Sequence, residues 1–177
     1  MKASKFSKIE ACVSKNAYHG VLCQPFIRNV KGKPHLCATD GKHMVILPVT
    51  MEEGDTMGHV NIEALKQARK LVCPDDEITI EDNGCIKLQD GRTIPRFGDG
   101  LTTPNVEQVM PDPNDVKFTV AFDVALLANI AQAFGTNWVK LQFKDELSPI
   151  IVLPNGNKDK KGYAAEAKGV LMPIRTT

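Results

Sequence analysis

Net charge is nearly absent from this sequence, although charged residues are common. The chain of 177 residues contains 22 Lys and Arg and 21 Asp and Glu, which leaves a net charge of +1 at pH 7. Such a chain has no overall attraction for nucleic acid, so a contact with DNA requires basic residues that share one face. The hydrophobic fraction of 42% is that of an ordinary globular protein.

The sequence also has no CxxC motif, no secretion signal and no long apolar run. The N-terminal segment MKASKFSKIEA lacks the apolar region of a signal peptide, and no run of residues approaches membrane-spanning length. We therefore expect a cytoplasmic protein, or one that works inside a host cell. The five cysteines match neither a CxxC pair nor a zinc spacing, and we expect reduced thiols. They are Cys12, Cys23, Cys37, Cys73 and Cys85.

Motifs for catalysis or for cofactor binding are not found. The sequence has no nucleophile–base arrangement, no phosphate-binding loop and no pair of carboxylates in a suggestive context. The histidines match no metal-ligand spacing, and we expect each of them to be structural. They are His19, His35, His43 and His59. We expect a protein without metal or cofactor that is not an enzyme; an unrelated small enzyme, supported by an intact titratable cleft, is the remote alternative.

Three segments have the pattern of amphipathic helices. The first follows Ser7, which forms an S-x-x-E capping box with Glu10. The second is predicted to begin after Asn61, a favourable N-cap, and to run EALKQARKLV. The third begins after Asp123 and runs VALLANIAQAF until Gly135, because glycine tolerates the left-handed conformation that ends a helix.

Strand patterns fill much of the remaining sequence and repeat in a fixed order. Residues 59–97 read as a short strand, a helix and three strands, and residues 116–175 repeat that order with the strand segments FTVAF, WVKLQF, SPIIVL and AKGVLMPI. The first 50 residues give a helix and paired extended segments at 21–30 and 35–47, with 2–6 as the candidate opening strand. The sequence thus predicts an α+β fold of three βαβββ repeats, with helices on one face of antiparallel sheets. One repeat cannot bury both its helix and its sheet face, so repeats should pack in pairs and the third needs a partner.

Three short motifs fall at the ends of these repeats. They are ATDGKHM at 38–44, PNVEQVMP at 104–111 and VLMPIR at 170–175. The first resembles the segment ATDGHRL in the middle domain of the bacterial DNA polymerase III β subunit, the sliding clamp. The second is similar to the closing FPDYRRVLP of that domain, and the third to the C-terminal VMPMRL of the family. All three occur in the order of the family, which makes the set specific.

The resemblance implies a DNA-clamp-like fold in two parts. Residues 1–111 resemble the whole middle domain, and residues 112–177 resemble the second half of the last domain. In the family, the three motifs line a hydrophobic pocket that binds short linear tails of DNA polymerase and of other replication and repair proteins. The sequence departs from the family at the rim, with Lys42-His43 in place of His-Arg and Glu107-Gln108 in place of two arginines. The pocket residues implied here are Tyr18, Thr39, Gly41, Lys42, His43, Met44, Pro104, Val109, Val170, Leu171, Met172, Pro173, Ile174 and Arg175.

The first two helical segments contain basic residues, whereas the third contains none. Clamp helices line the bore of a ring, where Lys and Arg contact phosphates of double-stranded DNA without reading the sequence. The candidates for such contacts are Lys5, Lys8, Lys15, Lys66, Arg69 and Lys70.

Two functions stay open. One is a sliding-clamp-like replication factor that binds peptide tails and assembles into a ring around DNA. A family ring contains twelve repeats, so a chain with three would close one as a homo-oligomer of four copies. The other is an adaptor or decoy that binds the same tails and does not encircle DNA.

Overall fold

The structure is a computed structural model with two compact units, Met1–Met110 (the N-terminal unit) and Pro111–Thr177 (the C-terminal unit). Within the described residues the protein is mixed α and β, with three antiparallel sheets, which confirms the broad fold class. No helix in this part of the chain is long and apolar enough to cross a membrane. The described residues are 8–71, 78–80, 85–88, 90–94, 102–155 and 167–175.

Ten strands and two α-helices are found in these residues, together with three short 3-10 helices. The strands are β1 (Phe26–Val30), β2 (Lys33–Thr39), β3 (Met44–Pro48), β4 (Gly58–His59), β5 (Ile78–Ile80), β6 (Ile86–Leu88), β7 (Thr93–Ile94), β8 (Val139–Gln142), β9 (Ile150–Pro154) and β10 (Gly169–Leu171). The α-helices are α1 (Ile62–Leu71) and α2 (Val124–Ala133). The 3-10 helices are Ile9–Cys12, Ala17–Cys23 and Pro113–Asp115.

The first sheet of the N-terminal unit has the strand order β3-β2-β1-β4. β1 and β2 form an antiparallel hairpin in which Phe26 lies opposite Cys37 and Val30 opposite Lys33. This confirms the predicted pairing, although the segment 35–47 divides into β2 and β3 around a turn at 40–43.

The strand that opens the second repeat belongs to the sheet of the first. β4 precedes α1 in the chain, yet it pairs with β1, and the strands after α1 form a separate sheet of order β5-β6-β7. The first two repeats are therefore joined by backbone hydrogen bonds as well as by side-chain packing.

The helix α1 begins after Asn61, as predicted. The Asn61 Oδ1 atom accepts a hydrogen bond from the Ala64 N–H at 2.8 Å, which satisfies one of the free donors of the first turn. Leu65 and Ala68 are also buried, and the same face of the helix reaches a core shared by both sheets of the unit. The buried members of this core are Ile9, Val13, Ile27, Leu36, Ala38, Val49, Val60, Ile62, Ala64, Leu65, Ala68, Ile78, Ile80, Ile86, Leu88 and Ile94.

The first predicted helix is not an α-helix, so this prediction was wrong. The segment forms the 3-10 helix Ile9–Cys12, and its N-cap is Lys8 in the left-handed conformation with no side-chain capping bond. Downstream, the Ser14 and Asn16 side chains accept hydrogen bonds from nearby backbone N–H groups, which competes with helical bonding. Ser7 of the predicted capping box and the candidate opening strand at 2–6 lie outside the described residues.

Both predicted ends of the third helix are confirmed by α2. Asp123 Oδ1 accepts a backbone N–H of the first turn at 2.7 Å. At the other end Gly135 has φ 68°, and its N–H donates to the Gln132 carbonyl at 2.9 Å. The Thr136 N–H donates to the Ala131 carbonyl at 3.1 Å, which completes a Schellman motif.

The sheet of the C-terminal unit has the order β10-β9-β8 and covers a small core. Its fully buried residues are Ile150, Val152 and Leu171, against which residues of α2 pack. The predicted opening strand FTVAF is not formed, which corrects that prediction. Among the described residues, its one backbone hydrogen bond runs from the Ile174 N–H to the Ala121 carbonyl, at 2.7 Å. A strand requires a neighbouring strand edge, and the described part of this repeat contains one sheet only, β10-β9-β8.

Candidate peptide-binding residues

The first motif forms a tight turn between β2 and β3. Asp40 Oδ1 accepts the N–H groups of Lys42 at 2.8 Å and His43 at 3.0 Å. Thr39 Oγ1 accepts the Gly41 N–H at 3.1 Å and donates to the His43 carbonyl at 2.7 Å. Gly41 has φ 87°, a conformation that glycine adopts without strain. The turn is thus fixed from inside, and Lys42 and His43 remain exposed.

Hydrogen bonds within this turn lower the pKa of Asp40. The main cause is donation by the Lys42 and His43 N–H groups to its carboxylate, and the charge of His43 adds to it. The His43 Nδ1 atom lies 3.0 Å from Asp40 Oδ1. Since these donors favour the ionised carboxylate, the turn keeps its geometry at neutral pH.

The second motif is fastened to the β1–β2 hairpin. Arg28 donates to the Pro104 carbonyl at 2.7 Å, and the Lys31 N–H donates to the Glu107 carboxylate at 3.1 Å. Between these bonds Val106 is fully buried. Glu107, one of the departures from the family pattern, therefore has a structural contact.

One apolar cluster holds the first two motifs together. Val106 packs with Phe26, Val30 and Cys37, and Met44 packs against the same group. Burial here raises the pKa of the Cys37 thiol to about 11. Val106 was not among the predicted pocket residues, and its burial in the middle of PNVEQVMP could have been inferred from its apolar character between polar neighbours.

Exposure differs among the predicted pocket residues of the N-terminal unit. Val109 is 65% exposed, whereas Pro104 is half-buried. Tyr18 lies in the 3-10 helix Ala17–Cys23 and is 97% exposed. Among the predicted pocket residues of the N-terminal unit, the exposed side chains are therefore Tyr18, Lys42, His43 and Val109.

The third motif alternates between core and surface. Leu171 is 2% exposed and belongs to the core of the C-terminal unit, while Val170 and Met172 are 62% and 61% exposed. Val170 lies opposite Ile151 in the sheet, and Ile151 is 41% exposed. Successive side chains of a strand point to opposite faces, so the motif presents an apolar row to solvent. Ile174, at 52% exposure, extends this row.

A pocket of about 460 Å³ adjoins the end of the third motif. Ile174 and Arg175 line it, with Leu147 and Glu146 on the loop between β8 and β9. That loop is fixed by Asp145, whose carboxylate accepts the N–H groups of Leu147 and Ser148 and the Ser148 hydroxyl. The hydroxyl is the main cause of a lowered pKa of Asp145. The lining of the pocket is thus partly polar and partly apolar, with one charge of each sign.

The predicted DNA-contacting residues are only partly described. Lys8, Lys15 and Lys70 are exposed, whereas Lys66 forms a hydrogen-bonded ion pair with Glu63 at 2.7 Å. Lys5 and the side chain of Arg69 lie outside the described residues. An exposed ion pair of this kind reduces the positive field of α1 without adding much stability.

A serine–histidine contact near the N-terminus does not have the arrangement of a catalytic dyad. Ser14 Oγ lies 2.7 Å from His19 Nδ1, and Asn16 Nδ2 lies 3.5 Å from His19 Nε2. Asn16 Oδ1 accepts the Tyr18 N–H, so its Nδ2 faces the ring. The orienting group of a catalytic triad accepts the N–H of the ring, and an amide nitrogen at this place does not supply that acceptor. Among the described residues, no group of three His, Cys, Asp or Glu could hold a metal ion.

A larger apolar groove, of about 620 Å³, lies between α2 and the start of β8. Leu127, Ala128 and Ala131 of the helix line it, together with Val139 of the strand. The motifs do not include this groove. The sequence nevertheless contained a signal for it, because the segment VALLANIAQA has no charged residue on any face.

Comparison with known proteins returned no relatives: no protein-family model, curated protein or solved structure matches the chain.

Proposed function

We propose that the protein is a sliding-clamp-like DNA replication factor that binds short linear peptide tails of polymerase and other replication proteins. The observation that carries this proposal is the exposed apolar row of Val170, Met172 and Ile174, which ends at Arg175. Large apolar side chains in a regular row on a small unit favour contact with a partner. The fixed turn of the first motif and the anchored second motif support the proposal in the N-terminal unit.

The chemistry of the row suits a peptide ligand. Each apolar anchor of a tail that becomes fully buried contributes about 1.5–3 kcal/mol. Two or three such anchors give micromolar binding after the cost of ordering the tail. Met172 has a flexible, polarisable side chain that adapts to related ligands. Arg175 offers a fork of N–H donors to a carboxylate of the tail, and Glu146 disfavours a second acidic group at the pocket.

Fluorescence anisotropy tests this function. A fluorescein-labelled peptide that copies the clamp-binding tail of a bacterial replicative polymerase is titrated with the full chain. Met172→Glu places a charge in the exposed row, and we expect the Kd to rise at least about tenfold because an apolar anchor would meet an unpaired carboxylate. Asn129→Glu, which adds the same charge on exposed α2, is expected to leave the Kd unchanged. An equal response of both variants, or no saturable binding by the native chain, would contradict the proposal.

The adaptor or decoy function is favoured by one observation on α2. This helix has no basic residue, and a helix that lines a DNA-filled bore needs cations for the phosphates. Retention on closed circular DNA, compared with the same DNA after linearisation, separates the two functions. A ring remains on the circle and slides off the linear form, whereas an adaptor is retained on neither.

A further inference from the structure

The N-terminal unit shows how two βαβββ repeats complete each other. There, β4 opens the second repeat and precedes its helix α1, but it pairs with β1 of the first repeat. β1 is the first strand after the helical segment of that repeat. The two repeats also share one core that includes both sheets and α1. A complete unit thus requires a strand given from one repeat to the sheet of its neighbour.

The part of the C-terminal unit that the structure describes contains both halves of this exchange, a candidate strand before its helix and an edge strand after it, and no strand pairing joins them. Residues 118–122 precede α2 as β4 precedes α1, and they alternate apolar side chains, with Val120 and Phe122 packed on the core. Among the described residues, the only backbone hydrogen bond of this segment is to Ile174. In an extended chain, the backbone N–H and C=O groups of the residues on either side of Ala121 point away from Ile174.

The acceptor for such a strand is β8, which is an edge strand of its sheet among the described residues. Asn155 N–H donates to the Trp138 carbonyl at 2.8 Å, and the register places Val139 opposite Pro154. In an antiparallel pair, hydrogen-bonded and non-hydrogen-bonded positions alternate. Val139 and Leu141 therefore direct their N–H and C=O groups away from β9, as the missing N–H of Pro154 also requires.

The apolar groove lies directly beside this edge. Val139 at the start of β8 and Ala128 of α2 both line it, so a strand added to β8 would bring the rest of its repeat against α2. Neither α2 nor FTVAF contains a charged residue. A partner surface must also be uncharged, because a charge buried there would be left unpaired. A second copy of the C-terminal unit offers such a surface and the missing strand together.

We propose that the C-terminal unit pairs with the C-terminal unit of a second copy in a two-fold arrangement. In each copy, residues 118–122 add to the β8 edge of the other, and the two α2 grooves close on each other. One surface serves both sides of such an isologous contact, so this contact by itself joins two copies and no more. The segment 118–122 adjoins the third motif, because Thr119 and Ala121 line the pocket of Ile174 and Arg175 and the Ile174 N–H donates to the Ala121 carbonyl. The dimer is measured without a peptide ligand, so a failure of this inference and a failure of the proposed function are distinguishable.

Analytical ultracentrifugation of the full chain over a range of concentrations provides the first test, and we expect a dimer. Ala128→Glu places a carboxylate in the groove, and the dimer Kd should rise by about 100-fold or more because that charge becomes buried without a partner. Asn129→Glu is the matched control, an exposed neighbour that does not line the groove; it should change the dimer Kd by less than about threefold. Circular dichroism establishes that both variants fold.

Hydrogen exchange separates strand addition from other modes of association. In the dimer, the Val139 and Leu141 amides should exchange more slowly as the concentration rises, together with amides of 118–122. Ala128→Glu should abolish that concentration dependence. A chain that remains monomeric at all concentrations overturns the proposal, and so does an oligomer that survives Ala128→Glu or leaves these amides unprotected.

Discussion

The two units of this chain use the same local pattern with opposite outcomes for burial. In the N-terminal unit, two repeats enclose a shared core in which α1 contributes Leu65 and Ala68. In the C-terminal unit, one repeat fully buries only Ile150, Val152 and Leu171 among the described residues. In the part of that unit which the structure describes, the large exposed apolar side chains are Val116, Phe118, Val124, Leu126, Trp138, Phe143, Leu147, Ile151, Val170, Met172 and Ile174. A single repeat has too much surface for its volume to hide both layers.

The two helices show the same contrast. Exposed positions of α1 carry charge, as at Glu63 and Lys70, whereas its buried face is apolar. α2 has no charged residue and no fully buried one. The first helix is thus adapted to a solvent-facing side, and the second has the composition of a helix that is covered on more than one side.

Truncation of a leucine in each helix should give the largest change in the free energy of unfolding and the clearest difference between the two units. Leu65→Ala removes a side chain that is 1% exposed, and we expect a loss of about 2–5 kcal/mol in the free energy of unfolding because a cavity remains. Leu127→Ala, at a half-buried position of α2, should cost less because its surroundings can relax. Urea titration followed by circular dichroism measures both. Equal losses would mean that the cores of the two units are packed alike.

A smaller effect is expected at the second motif. Val106→Ala deletes two buried methyl groups that hold residues 104–110 against β1, and should cost about 2 kcal/mol by transfer and cavity terms. Val109→Ala is the matched control, because this side chain is 65% exposed, and should be neutral. If both variants unfold at the same urea concentration as the native chain, the second motif is not anchored through Val106.

Acid should affect one turn in each unit. The pKa values of Asp40 and Asp145 are both lowered by hydrogen bonds to their carboxylates. A group with a lowered folded-state pKa contributes stability that is present above its unfolded value of about 3.9 and is lost as the pH falls through the folded value. We expect no change in either turn between pH 7 and pH 5, and opening below about pH 4. Amide chemical shifts of Lys42 and Ser148, whose N–H groups donate to the two carboxylates, report the turns separately; an opening of either turn at pH 6 would contradict this assignment.

The smallest expected effect is a difference in reactivity between the Cys37 thiol and the other cysteines of the N-terminal unit. Burial raises the pKa of Cys37 to about 11, so the group stays protonated and unreactive at pH 8. Cys12 and Cys23 are half-buried in the same unit, and they should react with a disulfide reagent first. Mass spectrometry of the partly labelled native chain gives the order; early labelling of Cys37 would show that β2 opens readily.

Local sequence signals were sufficient for the elements with strong caps. Asn61, Asp123 and Gly135 set the ends of α1 and α2 where predicted, because each acts through hydrogen bonds within a few residues. The 3-10 helix Ile9–Cys12 replaced a predicted α-helix where side chains compete with the backbone. The segment 118–122 has a strand pattern, but a strand depends on a neighbour that composition does not reveal.

The candidate site was predictable in the same uneven way. The three motifs directed attention to exposed Val170 and Met172, and their alternation follows from strand geometry. They did not distinguish Leu171, which is core, from its neighbours. The groove beside α2 depends on how the helix and β8 meet, which no local pattern encodes. Whether the motif residues bind a peptide tail stays a prediction.

Trp138 gives this molecule a built-in optical probe. It is the single tryptophan of the chain, 70% exposed, and it directly precedes β8. An indole in water emits at longer wavelength than one in an apolar surrounding, so the emission of the native chain reports on this edge alone. A blue shift on concentration or on addition of a ligand therefore locates the event at the start of β8 without any label.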